Sequence, residues 1–442
     1  MVRLLRRVVD VRREELPALG WTWLYFYAVL AAYYVLRPIR DEAGVAGGVD
    51  NLPWLWIGTL VGVTIANPAF AALVARLPRV RFVSWSYRFF ALNLIVFFLV
   101  LRAADGEANI WAGRVFYVWT AVFNLFVPSV FWAFMTDIFT PEQGKRLFGI
   151  ISAGGTLGAL TGSLLTAMLA EHIQPMFLLF FSVALLELSV VAVRRLSKLS
   201  ERLRAAQSAP TQEQIIGGSV LAGIRNATSS PYLLGISLYM LLFTTLSTVL
   251  YFQLAGIVDR SLADRAARTA FFARVDLLTN GLALVLQLFA FSNLVRVFGL
   301  TVTLGVLPAI SAAGFAILGT IPAVAVVVVF QAVRRAGEFA IARPAREVLF
   351  IVLPREDRYK AKNFIDTVVY RLGDQVGAWS QVLLGAAGLG VVGIAWAAVP
   401  LSLVWLVNGL WLGRKQETLA AGAGPAPASD PPLQPAPATT AS

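Results

Sequence analysis

Long apolar runs recur along this chain, and they limit its fold more than any other feature. From Leu19 to Leu36 there is no charged residue. A helix rises about 1.5 Å per residue, so about 20 apolar residues cover the hydrocarbon core of a bilayer. On that ruler the chain holds about twelve spans, near residues 18–37, 53–75, 82–101, 112–139, 148–170, 175–193, 231–257, 269–291, 299–319, 322–342, 364–388 and 391–412. Composition points the same way, with 58% hydrophobic and 14% charged residues, against about 45–50% and about 25% in soluble domains. The expected fold class is an all-α polytopic membrane protein.

The connections carry the topology signal, because cytoplasmic loops accumulate Lys and Arg. Arg3, Arg6, Arg7, Arg12 and Arg13 precede the first span, and Arg76, Arg79 and Arg81 follow the second. Lys145 and Arg146 follow the fourth; Arg194, Arg195, Lys198, Arg202, Arg204 and Arg225 follow the sixth. Arg346, Arg355, Arg358, Lys360 and Lys362 follow the tenth, and Arg414 and Lys415 follow the last. The connections after spans five, nine and eleven have no cation; Arg260, Arg265 and Arg268, set against Asp259 and Asp264, run counter to the pattern. Both termini are therefore expected in the cytoplasm.

The charged segment 194–230 divides the spans evenly. It predicts a cytoplasmic N-terminal segment at 1–17, a six-helix bundle at 18–193, a linker at 194–230, a second bundle at 231–412 and a disordered Pro/Ala-rich tail at 413–442. An internal echo supports two pseudo-symmetric halves. "TPEQGKRLFGIISAGGTLGALTG" from Thr140 and "LPREDRYKAKNFIDTVVYRLGDQVG" from Leu353 each run Pro, acid, cations, then an apolar stretch with spaced glycines. The tail cannot bury a core.

Several chemistries are excluded. Without cysteine there is no disulfide, thiolate catalysis or cysteine metal site. His172 is the single histidine, too few for an imidazole metal site, and no metal or cofactor is expected. No phosphate-binding G-x-x-x-x-G-K-[ST] loop occurs; "EQGKRLFG" has the wrong spacing and lacks the hydroxyl. With no nucleophile elbow either, catalysis is not expected. The net charge of +12 lies mostly in loops, which argues for topology rather than nucleic acid. No small-residue cleavage site precedes the first span, so no removable signal peptide is expected.

What remains informative are charges inside spans, which cost about 2.5–3.5 kcal/mol each on insertion scales. In "YYVLRPIRDEAGV", Arg37 and Arg40 share a helix face, and Asp41 and Glu42 can neutralise them. Pro38 is expected to break the backbone there, leaving Arg37, Arg40 and Asp41 as an outward gate or a site, with Glu42 at the interface. Arg88 is open between snorkelling and gating. Asp137, close to Lys145 and Arg146, suggests an inner ion-pair gate. In "FQAVRRAGEFAIARPAR", Arg334 and Glu338 are spaced to pair, and Arg335 points elsewhere. An unpaired Arg335 would suit an anionic substrate; a buried pair with Asp276 or Glu187 is the alternative. Arg371 and Asp374 stand one turn apart, with Asp366, Gln375 and Gln381 adding polar reach; Asp276, Asn280 and Gln287 make a similar stripe. Gly154, Gly158 and Gly162 form a small-residue ridge for close helix packing.

Three stretches resemble the nucleotide (ADP/ATP) translocase branch of the major facilitator superfamily: "YYVLRPIRDEAGV", "VFNLFVPSVFWAFMTDIFTPEQGKRLFGIISAGGTLGALTG" and "YKAKNFIDTVVYRLGDQVGAW". The likeness covers roughly residues 20–412 and is nearer to relatives in free-living bacteria. It implies two six-helix bundles built as repeats, alternating access, and exchange of an anionic, nucleotide-like solute without hydrolysis. Arg37 matches the translocases' "LR", and Arg40-Asp41 takes the place of their Lys-Asp. Lys360, Lys362 and Ile365-Asp366 keep their "KAK…ID"; Asp374 stands where they have a further lysine.

The expectation is thus a monomeric secondary transporter of a small anion, in contact with lipid and not nucleic acid. Arg40, Arg334, Arg335, Arg371 and Asp374 are its candidate substrate contacts. Arg37, Asp41, Asp137, Lys145, Arg146, Glu338 and Asp366 are candidate gating or ion-pair residues, Arg371 also facing the inner gate. Proton-coupled transport of another solute is one alternative, with Asp276 or Asp374 as proton carrier. A lipid-handling or scaffolding membrane protein is another, and a non-transporting sensor a third.

Overall fold

The computed structural model describes residues 12–76, 78–139, 141–204, 230–289, 291–353, 361, 362 and 364–422. Among these the regular structure is helical, without strands. In chain order come α1 (Leu16–Ala46), α2 (Leu52–Arg76), α3 (Arg79–Ala103), α4 (Gly106–Ile138), α5 (Pro141–Leu169), α6 (Leu179–Arg204), α7 (Pro231–Ser261), α8 (Arg265–Phe289) and α9 (Phe291–Thr320). After α10 (Val324–Gly337) come α11 (Arg343–Leu349), α12 (Tyr370–Ala386) and α13 (Val391–Gly422).

Ten of these helices, α1 to α9 and α13, are long and apolar enough to cross a membrane. The predicted spans 322–342 and 364–388 are helical but segmented. A π-helical turn, Glu338–Ala342, joins α10 to α11, and another, Ile365–Val369, leads into α12. Such turns widen the i→i−4 ladder, interrupt a regular α-helix and gather at functional sites. Among the described residues the twelve expected spans thus become ten long helices, α9 kinked at Gly299, and two segmented stretches.

Three predicted boundaries move. α1 does not stop at 37 but continues through Pro38 to Ala46. A membrane helix tolerates proline where its surroundings satisfy the freed carbonyl, and the extra turns bury Ile39, Ala43 and Val45. Arg37, Arg40, Asp41 and Glu42 therefore lie inside a helix, not at its exit. α6 continues to Arg204 and α13 to Gly422, past the boundaries expected at 193 and 412. Their Arg, Lys, Glu, Leu and Ala residues are good helix formers, and extending a helix costs far less than starting one. Most of the expected linker and tail lies outside the described residues.

Two clusters of buried apolar side chains organise the molecule. One draws on residues 18–196 plus Ala270; the other draws on 232–412 plus Val45, Leu52, Leu55 and Tyr117. Within the first, α1 packs on α5 through the glycine ridge. A Cβ at Gly158 would stand 2.2 Å from the Tyr27 carbonyl oxygen, and one at Gly162 2.5 Å from that of Ala31. Only glycine lets these backbones approach so closely. The halves meet where α8 packs on α1 and α5, and where α12 meets α2.

The ends are distinct. Glu42 near the end of α1, Asn109 at the start of α4 and Arg265 at the start of α8 lie together. This end, away from the described termini, is called the far end. Glu15 lies beside Arg146, and Glu417 beside Thr301, at the near end.

Candidate functional site

Three charged residues reach the interface between the halves at one depth. Arg37 precedes the end of α1 by nine residues, and Asp276 and Arg335 follow the starts of α8 and α10 by eleven. At 1.5 Å per residue each lies about 14–17 Å from the far end, a distance about half the roughly 30 Å of a hydrocarbon core. Asp276 Oδ1 accepts a hydrogen bond from Arg335 Nη1 at 2.7 Å, and Arg37 Nη1 stands 3.3 Å from the same oxygen. Arg37 thus joins α1 of the first half to α8 of the second.

One turn further along α1 the pattern repeats. Arg40 donates to Asp41 Oδ1 from Nε at 3.0 Å and Nη2 at 2.5 Å, and the Tyr251 hydroxyl donates to the same oxygen at 3.1 Å. Arg37 Nε stands 3.9 Å from Asp41 Oδ2. The Arg40 guanidinium lies 4.9 Å over the Tyr117 ring, a favourable placement for a desolvated cation. Three guanidiniums therefore share two carboxylates, and Asp41 and Asp276 are only 3% and 2% exposed. Buried charges need such pairing, because each pays a desolvation cost of several kcal/mol. The pairing is incomplete: Asp276 Oδ2, Arg37 Nε and the Asn280 amide nitrogen are buried without a hydrogen-bond partner. Asn280 lies one turn from Asp276 on α8, on the same face.

The other predicted residues separate into independent groups. Arg334 does not pair with Glu338. It donates to Ser311 Oγ at 3.0 Å, Ser247 Oγ at 2.6 Å and the Phe243 carbonyl at 3.0 Å, between the rings of Phe243 and Trp405. Glu338 faces Arg346 at 3.6 Å instead. The expected i,i+4 pairing straddles the α-to-π junction, where the wider turn alters the register. Arg335 takes Asp276, not Glu187, whose partner is Arg88 at 3.2 Å on the protein's exterior. Arg371 reaches Asp374 at 3.5 Å, and Thr248 donates to that carboxylate at 3.4 Å; this group stays on α7 and α12.

At the near end, Arg146 pairs with Glu15 at 2.8 Å and Asp366 with Lys362 at 3.4 Å. Each of these pairs stays within one half, so Arg146 and Asp366 are not brought together. The side chains of Asp137 and Lys145 lie outside the described residues. Burial raises the Glu15 carboxyl, but hydrogen bonds from Arg146, the Arg12 backbone and Gln143 outweigh it and hold it below its ordinary value.

The far end is tied across the halves. Arg265 donates to Glu42 at 2.9 Å and to Asn109 at 2.7 Å, and Arg274 to Glu171 at 2.8 Å. The Trp54 and Trp379 rings meet edge-on at 5.2 Å. A cavity of about 420 Å³ opens beside these ties, lined by Glu42, Asn109, His172 and Arg265 among others. Tyr117 and Tyr251 were missed in the sequence. Their signal was a hydroxyl in an apolar span, which needs a polar partner when buried.

No family model matches the chain. It is 24% identical to ADP,ATP carrier protein 1 of Chlamydia trachomatis, an alignment covering 91% of this chain and 89% of that protein. It is 28% identical to the multidrug resistance protein MdtG of Escherichia fergusonii over 39% of this chain and 44% of that one. Among solved structures, a bacterial homologue of the iron transporter ferroportin in an inward-facing state matches with TM-score 0.63 and 15% identity. That match covers 91% of this chain and 99% of the other. That homologue is a transporter, and the fold it shares with this chain is the major facilitator fold.

Proposed function

We propose that this chain, a membrane transporter of the major facilitator type, exchanges small anions between the two sides of a bacterial inner membrane by alternating access, nucleotides being the first substrate class to test. The observation that carries this reading is the cluster of Arg37, Arg40 and Arg335 with Asp41 and Asp276. It has more cations than carboxylates, sits at membrane mid-depth and draws on both halves. Transporters place their substrate sites there, at the interface between repeats. Charges inside a membrane protein are costly even when paired, and they mark substrate pathways. The similarity to an ADP,ATP carrier along 91% of the chain supports nucleotides specifically.

In this reading 18–193 and 231–412 are the rocking bundles, and the termini face the cytoplasm. The far end is then outside, and the ties Glu42–Arg265 and Arg274–Glu171 close it. Substrate reaches Arg335 and Arg37 from the cytoplasmic side. Arg371 and Asp374, on α12 nearer the cytoplasmic end, are a further polar contact in the second bundle.

The test is uptake of labelled ATP and ADP into proteoliposomes, preloaded or empty, beside an Arg335→Gln variant. Uptake that needs preloading and falls at least tenfold in the variant supports the proposal. Uptake unchanged by the substitution overturns the site, and no uptake of either nucleotide by folded protein removes that substrate class.

A further inference from the structure

We infer that Asp276 is a tethered anion, which fills the substrate's place on Arg37 and Arg335 while the transporter is empty and which an incoming phosphoryl group displaces. This rests on the anion-exchange reading above and adds to it the event that couples binding to opening.

The geometry has three parts. First, both guanidiniums converge on one oxygen, Asp276 Oδ1, at 2.7 and 3.3 Å, while Oδ2 accepts no hydrogen bond. A carboxylate built only to neutralise two arginines would use both oxygens, as bidentate pairs do. Second, two donors make no hydrogen bond: Arg37 Nε, whose nearest carboxylate is Asp41 at 3.9 Å, and the amide nitrogen of Asn280, one turn from Asp276 and itself 5% exposed. A phosphoryl group has more acceptor oxygens than a carboxylate and can take these donors together with the two that Asp276 occupies. Third, the pair lies between the halves, since Arg37 is on α1 and Asp276 on α8. Moving Asp276 off Arg37 cuts a link between the bundles at the moment of binding.

The consequence is obligatory exchange. With no anion bound, Asp276 holds α1 to α8 and the empty protein stays closed at the far end. With a phosphoryl group on the arginines the link is released, and the ligand bridges the halves as they rock. A ligand shifts this equilibrium only by its differential affinity for the two states, and that difference is set by its competition with Asp276.

The chain has no cysteine, so a Trp54→Cys/Trp379→Cys pair, placed where the two rings meet at 5.2 Å, reports far-end closure through a short bifunctional thiol reagent. In the empty protein cross-linking is expected to be efficient. Asp276→Asn is expected to lower it several-fold and to tighten binding of ATP and of inorganic phosphate several-fold, measured by thermal stabilisation of the full chain. Asp276→Glu keeps the charge and is expected to stay near the starting level. Arg37→Gln cuts the same link from the other side and guards against a folding defect peculiar to Asp276→Asn. Phosphate or ATP should lower cross-linking in the parent pair and have no further effect with Asn at 276. Cross-linking unchanged in both Asp276→Asn and Arg37→Gln, or weaker anion binding in Asp276→Asn, overturns the inference. If phosphate releases the cross-link while neither nucleotide is exchanged, the tethered anion stands and the nucleotide reading fails. If nucleotides are exchanged but no anion alters the cross-link, the exchanger stands and the tethered anion falls.

Discussion

Arg37 Nη1 and Asp276 Oδ1 stand 3.3 Å apart across the junction of the two halves. Neighbours in sequence treat the same charges differently. Arg335 shares that carboxylate, while Arg334, adjacent in the chain, is held by two serines and a carbonyl. The adjacent arginines therefore differ in surroundings: Arg335 meets a carboxylate at the interface, and Arg334 is hydrogen-bonded within the second half.

The separation is measurable. Arg334→Gln is expected to lower stability by about 1–3 kcal/mol, the cost of leaving buried partners unpaired, with little change in the KM of whatever uptake remains. Arg335→Gln is expected to abolish exchange while the unfolding temperature in detergent moves less. Loss of stability in the second variant equal to the first would erase the distinction.

At the far end, Arg265 is half exposed but its partner Glu42 is buried, so the pair is worth more than the about 0–1 kcal/mol of a fully exposed one. Reversing one charge by Arg265→Glu sets a second carboxylate against a buried one and should reduce transport by at least about fivefold. Adding Glu42→Arg should recover most of the loss, in a double-mutant comparison of uptake rates.

The α1–α5 contact tolerates no added side chain. Gly158→Val puts carbon atoms against the Tyr27 carbonyl, which a Cβ alone would approach to 2.2 Å. The expected cost is about 1–3 kcal/mol, as for other overpacked sites, read as a lower unfolding temperature. The same change at Gly149, which has nothing within 4 Å, is the control and should be far milder.

Glu15 links stability to pH. Its carboxyl is held below the ordinary value of 4.5 by Arg146, the Arg12 backbone and Gln143, against the opposing effect of burial. A depressed carboxylate stabilises the folded state fully above its unfolded value, and the contribution is lost as pH falls through the lower folded value. The stability difference between the natural chain and Glu15→Gln should therefore be constant above about pH 5 and shrink below about pH 4.5, followed by thermal unfolding across that range.

What the sequence determined by itself was set by period, length and charge count. The apolar runs specified helices that cross a membrane, the repeated six-and-six pattern and three word-like stretches pointed to the major facilitator fold, and the Gly154–Gly158–Gly162 ridge announced a close helix contact. Those features are local, so they survive without coordinates. The ends of α1, α6 and α13 were misplaced because charge counting marks where a membrane segment ends, and a helix continues wherever its residues favour it. The partners of the charges were beyond local reading altogether. Arg334 and Glu338 have the spacing of a helical pair, yet Glu338 opens a π-helical turn and each takes other partners; Arg37 and Asp276 are far apart in sequence and meet only because α1 and α8 pack together. A buried charge takes whichever opposite charge the packing brings within about 4 Å, and that choice belongs to the tertiary structure.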